Sequence, residues 1–355
     1  FSGSTNGYLQ GQNFVPGQIA LRDMGFEGIP MYNLENACAS GSSAFNLAAQ
    51  AIRAGEQDIV LAVGAEKMYI EDREKMFSAF DSGWDVETVE QNKANLLAMG
   101  HGVEVPEGTT SPKPYSVFMD VYAAFCRAHM RTFGTTQWQI AAVCAKNHQH
   151  SVHNSYSQFR NPYTVEEVLE APPITYPLTL PMCAPISDGA AAVVVCSKAG
   201  LDRLKGDASR AVKVLASVVQ TGTRREPEDY ENHITAIAAR TLYERAGVGP
   251  GHVHVVEVHD ATAMGEIIQA ENLQLVPFGE AGPAAERGEF SIGGRVPINP
   301  SGGLESKGHP IGATGLGQID ELGTQLRGEA DQPQVEGARV ALQENGGGLY
   351  GFEEA

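Results

Sequence analysis

Hydrophobic residues change rhythm within the first seventy positions. The apolar run from Phe45 to Ile52 has helical periodicity and ends at Gly55, whereas Asp58 to Glu66 is a short apolar stretch bounded by charge. The first predicts a helix and the second a buried strand. Helix followed by covered strand is the rhythm of an α/β fold. Before the helix, residues 1–30 are rich in Gly and Asn, with a helix-like piece at Gln18 to Met24. Residues 67–115 break the rhythm: acidic residues, Trp84 and a Pro/Gly patch from Pro106 to Pro114 read as an insertion lying over the core. Met119 to Thr132 and Thr136 to His150 predict two further helices, and Thr164 is placed to cap a third that Pro172-Pro173 stops. Ala190 to Cys196 predicts a strand.

The second half repeats the outline. A strand is expected at Ala211 to Val219, a helix at Asp229 to Ala246 and a strand at His252 to Val258. A Gly-rich turn, Asn299-Pro300-Ser301-Gly302-Gly303, precedes Gly308-His309-Pro310 and a helical run from Ala313 to Gln325. Ala338 to Gln343, the Gly346-Gly347-Gly348 turn and a short strand close the chain. Both halves thus set a polar, Gly-rich segment before a helix and follow it with a strand, as an internal duplication would.

Composition narrows the function classes. With 355 residues, 42% of them hydrophobic, the chain can bury a large core, in two domains or one duplicated architecture. The formal charge of −18 argues against binding to a nucleic-acid backbone, which depends on clustered Lys and Arg. Runs such as Ile59 to Val63 are far too short to span a bilayer, so no membrane partner is expected. The five cysteines (38, 126, 144, 183 and 196) show neither CxxC pairing nor metal-ligand spacing. They read as reduced thiols of a cytoplasmic protein with no metal in this chain. The chain opens at Phe1 without a signal peptide and ends in Glu353-Glu354-Ala355, which is not a peroxisomal address.

Cys38 is the first candidate for chemistry. It stands in Asn36-Ala37-Cys38-Ala39-Ser40-Gly41, at or just before the start of the first helix. Unpaired N–H groups and the partial positive charge there favour a thiolate. A buried structural cysteine is the alternative. His259 closes an apolar strand, the place where α/β folds bind ligands, although a core histidine fits the same position. His309 sits in glycine-rich surroundings that suit close ligand approach; a surface-loop histidine is the other option.

In order and spacing, Asn36 to Gly41, His259-Asp260-Ala261-Thr262, Asn299 to Gly303 and Gly308-His309-Pro310-Ile311-Gly312-Ala313-Thr314-Gly315 resemble the thiolase superfamily. The sterol-carrier-protein-x branch and its bacterial and archaeal relatives are most similar; Lys146-Asn147-His148, Tyr156 to Phe159 and Ser187 to Ala191 also resemble that branch. The likeness covers nearly the whole chain, and lacks only a leading strand and helix of about fifty residues. It implies a duplicated five-layer αβαβα fold, an N-terminal half at 1–200, with an inserted loop domain within 67–180, and a C-terminal half at 201–355. It also implies CoA-dependent cleavage of a 3-oxoacyl-CoA, with Cys38 as nucleophile, His309 taking its proton and His259 lining an oxyanion site. Ser301, Gly302 and Gly347 are the expected CoA-binding positions, and backbone N–H groups near Cys38 and Gly347 the thioester oxyanion hole.

One departure from the pattern concerns the second cysteine, which in thiolases moves the proton on the enolate carbon. Ala261 occupies one of its usual positions, and Gln343-Glu344-Asn345-Gly346 has none at the other. Glu344 stands where the branch often has histidine. A carboxylate beside a glycine turn in a partly dry pocket can serve as the base, unless it is solvated or ion-paired. The resemblance further implies a homodimer core, with Asp58 to Glu66 near the twofold, and a small zinc-ribbon/OB-fold partner carrying its own zinc. Phe77, Phe80 and Trp84 of the insertion are candidates to cover the acyl pocket or dock that partner, or they simply pack the insertion down. An unusual acid/base and a large insertion lean towards a bulky, branched or aromatic acyl group. Two other readings stand beside this one. A thiolase-like retro-aldolase acting on 3-hydroxyacyl-CoA would need neither free CoA nor an adduct on Cys38, and retention of Cys38, His259 and His309 argues against it. A non-catalytic scaffold, a thiolase shell serving a partner, agrees with the missing second cysteine, but three intact polar motifs around one pocket argue against it.

Overall fold

The computed structural model describes residues 1–205, 208–350 and 353–354. Helix α1 (Ser40–Arg53) follows a single 3-10 turn, Ala37–Ala39, that carries Cys38. Strand β1 (Ile59–Glu66) comes next, and then α2 (Val117–Phe133), α3 (Gln137–His150) and α4 (Val165–Glu170). Thr136 and Thr164 both cap their helices through reciprocal bonds with a Gln or Glu three residues on, which satisfies two otherwise orphaned N–H groups at each start. Strand β2 (Gly189–Cys196) pairs antiparallel with β1 in unbroken register from Ile59 opposite Cys196 to Glu66 opposite Gly189.

In the second half, α5 (Ile234–Ala246) leads to β3 (Val255–Glu257), α6 (Ala263–Asn272), α7 (Ile311–Arg327) and β4 (Ala341–Gln343), which lies parallel to β3. The largest core cluster joins α3, β3 and α6, with Ile140, Val143, Val256, Met264, Ile267, Phe290 and Ile298 fully or almost fully buried. A second, made mostly of alanines, holds Ala44, Ala48 and Ala49 of α1 and Ala62 of β1 against Leu316 of α7. Small side chains there bring α7 close to the strand pair. A Cβ on Gly64 would fall 2.2 Å from the Gly312 carbonyl oxygen, so β1 admits α7 only with glycine at that position.

Several expectations are corrected. Residues 211–219 form no strand. Val212, Leu215 and Val219 are exposed there, and an apolar run without a neighbouring edge has nothing to pair with. The expected helix at Asp229 begins instead at Ile234, because the His233 ring accepts the Thr235 N–H at 3.2 Å and fixes the start. The strand expected from His252 shortens to Val255–Glu257, since Pro250 sets a 3-10 turn through His252. Strand β1 is alternately buried and half-exposed, not covered throughout. In the insertion, Trp84 is buried and stacks on Phe118 of α2 with ring centroids 5.0 Å apart, so this aromatic packs the segment down. All five cysteines are free, and no helix among the described residues is long and apolar enough to cross a membrane.

Candidate active site

Four segments from distant parts of the sequence bring the chemistry together. The 3-10 turn holds Cys38 half-buried at the head of α1; the Ser40 hydroxyl accepts the Asn36 N–H at 2.8 Å and donates to the Ala37 carbonyl at 2.6 Å, fixing that turn. His309 lies two residues before α7. The start of that helix is tied to β1 by the Glu66 carboxylate, which accepts the Gly312 N–H at 2.7 Å together with N–H groups of Ser4, Thr5 and Asn6. Burial pushes the Glu66 carboxyl above its usual range, while these backbone donors pull the other way. His259 is two residues beyond the end of β3. The glycine turn after β4 comes back against Cys38: a Cβ on Gly347 would meet the Asn36 oxygen at 2.5 Å and the Ala39 nitrogen at 2.8 Å.

The resulting hydrogen bonds assign a tautomer. His309 Nδ1 lies 2.7 Å from Thr314 Oγ1, and the Thr314 hydroxyl donates its one hydrogen to the Pro310 carbonyl at 3.1 Å. The Thr314 oxygen therefore accepts from Nδ1–H, which leaves Nε2 as the acceptor facing Cys38 Sγ at 3.1 Å. Burial, then the neighbouring His259 and Lys307, hold the His309 pKa well below its ordinary value, so the ring is neutral and able to take a proton. The Ser187 hydroxyl accepts the His309 backbone N–H at 2.9 Å. His259 Nε2 stands 3.4 Å from His309 Nε2, with the two rings inclined at 61°. Glu344 Oε2 accepts the His259 N–H at 2.9 Å, and the Glu344 N–H donates to the Glu257 carbonyl at 2.9 Å. Cys38 also packs into an apolar cluster with Leu9, Met68, Ile70, Phe80, Ile186 and Ile311.

Comparison with known proteins decides what this constellation belongs to. The profile described as "Thiolase, N-terminal domain" matches residues 2–170, and "Thiolase C-terminal domain-like" matches 216–354. The chain belongs to the thiolase family. It is 37% identical over 348 residues to Sterol carrier protein 2 of Rattus norvegicus, covering 96% of this chain and 60% of that protein. The chain thus spans about three fifths of that relative's length. It is 38% identical over 328 residues to the acetyl-CoA acetyltransferase of Methanothermobacter thermautotrophicus, covering 92% of this chain and 79% of the relative. Among solved structures, the Ltp2-ChsH2(DUF35) aldolase superposes with a TM-score of 0.69 at 22% identity, over 93% of this chain and 80% of that one. At that identity the last likeness shows the thiolase fold alone.

In this chain the geometry brings Cys38, His259 and His309 into one cluster and attaches Glu344 to it through the His259 backbone. Gly347 lies beside them. Ser301 and Gly302 are not brought there. Ser301 is 1% exposed, with its N–H and hydroxyl both donated to the Glu257 carboxylate, and Gly302 backs onto Ser151. Cys38, His259 and His309 are also the one group of side chains among the described residues spaced to hold a metal ion, their ligand atoms lying within 4.8 Å of one another.

Behind His259 runs a buried polar network: Lys146, Asn147 and Asp260 stand in motifs of the sequence, but their linkage to Glu266 and Glu305 comes from the fold. The Lys146 ammonium pairs with Glu266 at 2.9 Å, and the Asn147 amide donates to Asp260, Glu266 and Glu305. Burial, then the Glu266 charge, raises the Asp260 pKa to about 8. Thr314 and Ser187 stand in motifs of the sequence, but their bonds to His309 are visible only in the fold.

Proposed function

We propose that this thiolase cleaves a 3-oxoacyl-CoA by acyl transfer to CoA, as an acyl-CoA C-acyltransferase. The 3.1 Å approach of Cys38 Sγ to an unprotonated His309 Nε2 is the observation that carries the reading. His309 takes the thiol proton as Cys38 attacks the C3 carbonyl, and the bond between C2 and C3 then breaks. The acyl group, from C3 outwards, stays on Cys38 as a thioester, and the two-carbon C1–C2 portion, still joined to CoA, leaves as an enolate. His259 and His309 face the enolate oxygen, and Glu344 supplies the proton to C2 in place of the second cysteine. CoA thiol gives its proton back to Glu344 and attacks the thioester; the Cys38 thiolate is expelled and recovers its proton from His309, and the shortened acyl-CoA departs. Backbone N–H groups near Cys38 and Gly347 stabilise the thioester oxyanion.

The cluster of Leu9, Met68, Ile70, Phe80, Ile186 and Ile311 is the wall on which the acyl chain rests, and Phe80 comes from the insertion. Such a wall suits a bulky, branched or aromatic acyl group. The profile matches at 2–170 and 216–354 support halves that divide near residue 200. The DUF35 component named in the aldolase supports a separate small subunit, and a homodimer core is the expected assembly. A retro-aldolase would leave the Cys38–His309 pair without a task.

Mass spectrometry after incubation with a panel of 3-oxoacyl-CoA compounds tests the proposal. A mass increase equal to the acyl group on the peptide containing Cys38, removed by CoA and absent in Cys38→Ala, is expected. Thiolysis at the normal rate by Cys38→Ala would overturn the mechanism.

A further inference from the structure

We propose that Cys38, His259 and His309 form a binding site for one thiophilic divalent cation, Zn2+ above all, whose occupancy switches the thiol off. The three ligand atoms lie within 4.8 Å of one another, and thiolate plus two imidazoles is a donor set that zinc favours. Around a tetrahedral zinc with Zn–N of about 2.0–2.1 Å, two imidazole nitrogens sit about 3.4 Å apart and a nitrogen and a sulfur about 3.6 Å. The two Nε2 atoms are 3.4 Å apart and Cys38 Sγ lies 3.1 Å from His309 Nε2, so these two edges match a tetrahedral ion to within about half an ångström, and the third, between Cys38 and His259, lies within 4.8 Å and closes by rotation of the Cys38 side chain. The ring centroids tell the same story. An in-line N–H···N bond of this length would hold them about 5.7 Å apart, whereas two imidazoles bound through Nε2 to one tetrahedral ion stand about 5.2 Å apart. They are 5.1 Å apart.

The Thr314 hydroxyl adds the outer support that zinc-bound histidines usually have, because it accepts Nδ1–H of His309 and turns the Nε2 lone pair inward. A net charge of −18 raises the local concentration of cations around the chain. When the Zn–S bond forms, the Cys38 proton passes to solvent, and water fills the fourth position. A thiolate held in this way cannot attack a carbonyl.

Titration of the reduced protein with CoCl2 and ZnCl2 tests the site. We expect one Co2+ per chain, a thiolate-to-cobalt charge-transfer band with strong tetrahedral visible bands, displacement by Zn2+, and release of one proton per ion. In Cys38→Ala the charge-transfer band is lost, in His259→Ala the affinity for Co2+ falls about tenfold or more, and Cys196→Ala keeps both. Circular dichroism without metal confirms that the variants fold, and the wild-type spectrum stands without them. A weak octahedral spectrum, or unchanged Co2+ affinity and spectrum in Cys38→Ala, would overturn the site. The inference rests on geometry and not on the acyl-transfer reading: metal binding without thiolysis leaves it standing, and thiolysis without metal binding overturns it alone.

Discussion

His309 accepts a proton from Cys38 only while Nδ1 keeps its own, and one hydroxyl enforces that arrangement. Thr314→Val removes the acceptor while keeping the shape, so the other tautomer gains population. A fall in kcat of about ten- to a hundredfold with little change in KM is expected, with recovery in Thr314→Ser. Steady-state kinetics of the three forms check it. Glu344 is tested differently, because glutamine still accepts the His259 N–H and keeps the local backbone bond. Glu344→Gln therefore preserves acylation of Cys38 by a preformed thioester and slows carbon–carbon cleavage about a hundredfold. Stopped-flow measurement of the two half-reactions separates these steps, and an unchanged cleavage rate would make Glu344 a bystander. The residues that do chemistry were legible because each stands in its own motif. The roles of their supports were not: Ser187 and Thr314 also stand in motifs, but they are ordinary hydroxyls until folding puts them against His309.

At the scale of elements, the seating of α7 on β1 and β2 sets the distance between Cys38 and His309. In Gly64→Ala the new methyl group would lie 2.2 Å from the Gly312 oxygen and 2.8 Å from the Ala313 α-carbon. Overpacking of this kind costs about 1–3 kcal/mol and pushes the start of α7 away from the strand pair. Urea unfolding and the rate of Cys38 acylation should therefore fall together, whereas loss of stability with normal acylation would separate seating from chemistry. Most helices were readable from periodicity and caps, Thr164 among them. The run Ala211 to Val219 was misread for a physical reason: its alternation describes a chain that suits a sheet, but pairing is a property of two edges.

The molecule as a whole carries several histidines that burial keeps neutral. His150 is one: its Nδ1–H donates to the Asn299 carbonyl at 3.0 Å, its Nε2 accepts the Ile292 N–H at 3.1 Å, and burial, with the Lys146 charge, lowers its pKa to about 3. Between about 6.5, the value for the unfolded chain, and about 3, the unfolded chain binds the proton that the folded one refuses, so acid removes stability at about 1.4 kcal/mol per pH unit. His150→Gln lacks that loss. The stability difference between wild type and variant should shrink by about 2 kcal/mol from pH 6.5 to 5, as read by denaturant titration. A constant difference would show that His150 does not titrate in this way. Asp260 runs in the opposite sense: its raised pKa means that stability falls as pH rises towards about 8.

By itself the sequence determined the α/β class, the family and the three side chains that carry the chemistry, because each is written locally in periodicity, glycine turns and short motifs. Tertiary structure alone decided the tautomer of His309, the convergence of two histidines and a thiol on one point, and the withdrawal of Ser301 into a bond with Glu257. Those depend on contacts between residues far apart in the chain: 271 positions separate Cys38 from His309. A local pattern can name such groups, but only packing sets the distance and direction between them, and on these the chemistry depends.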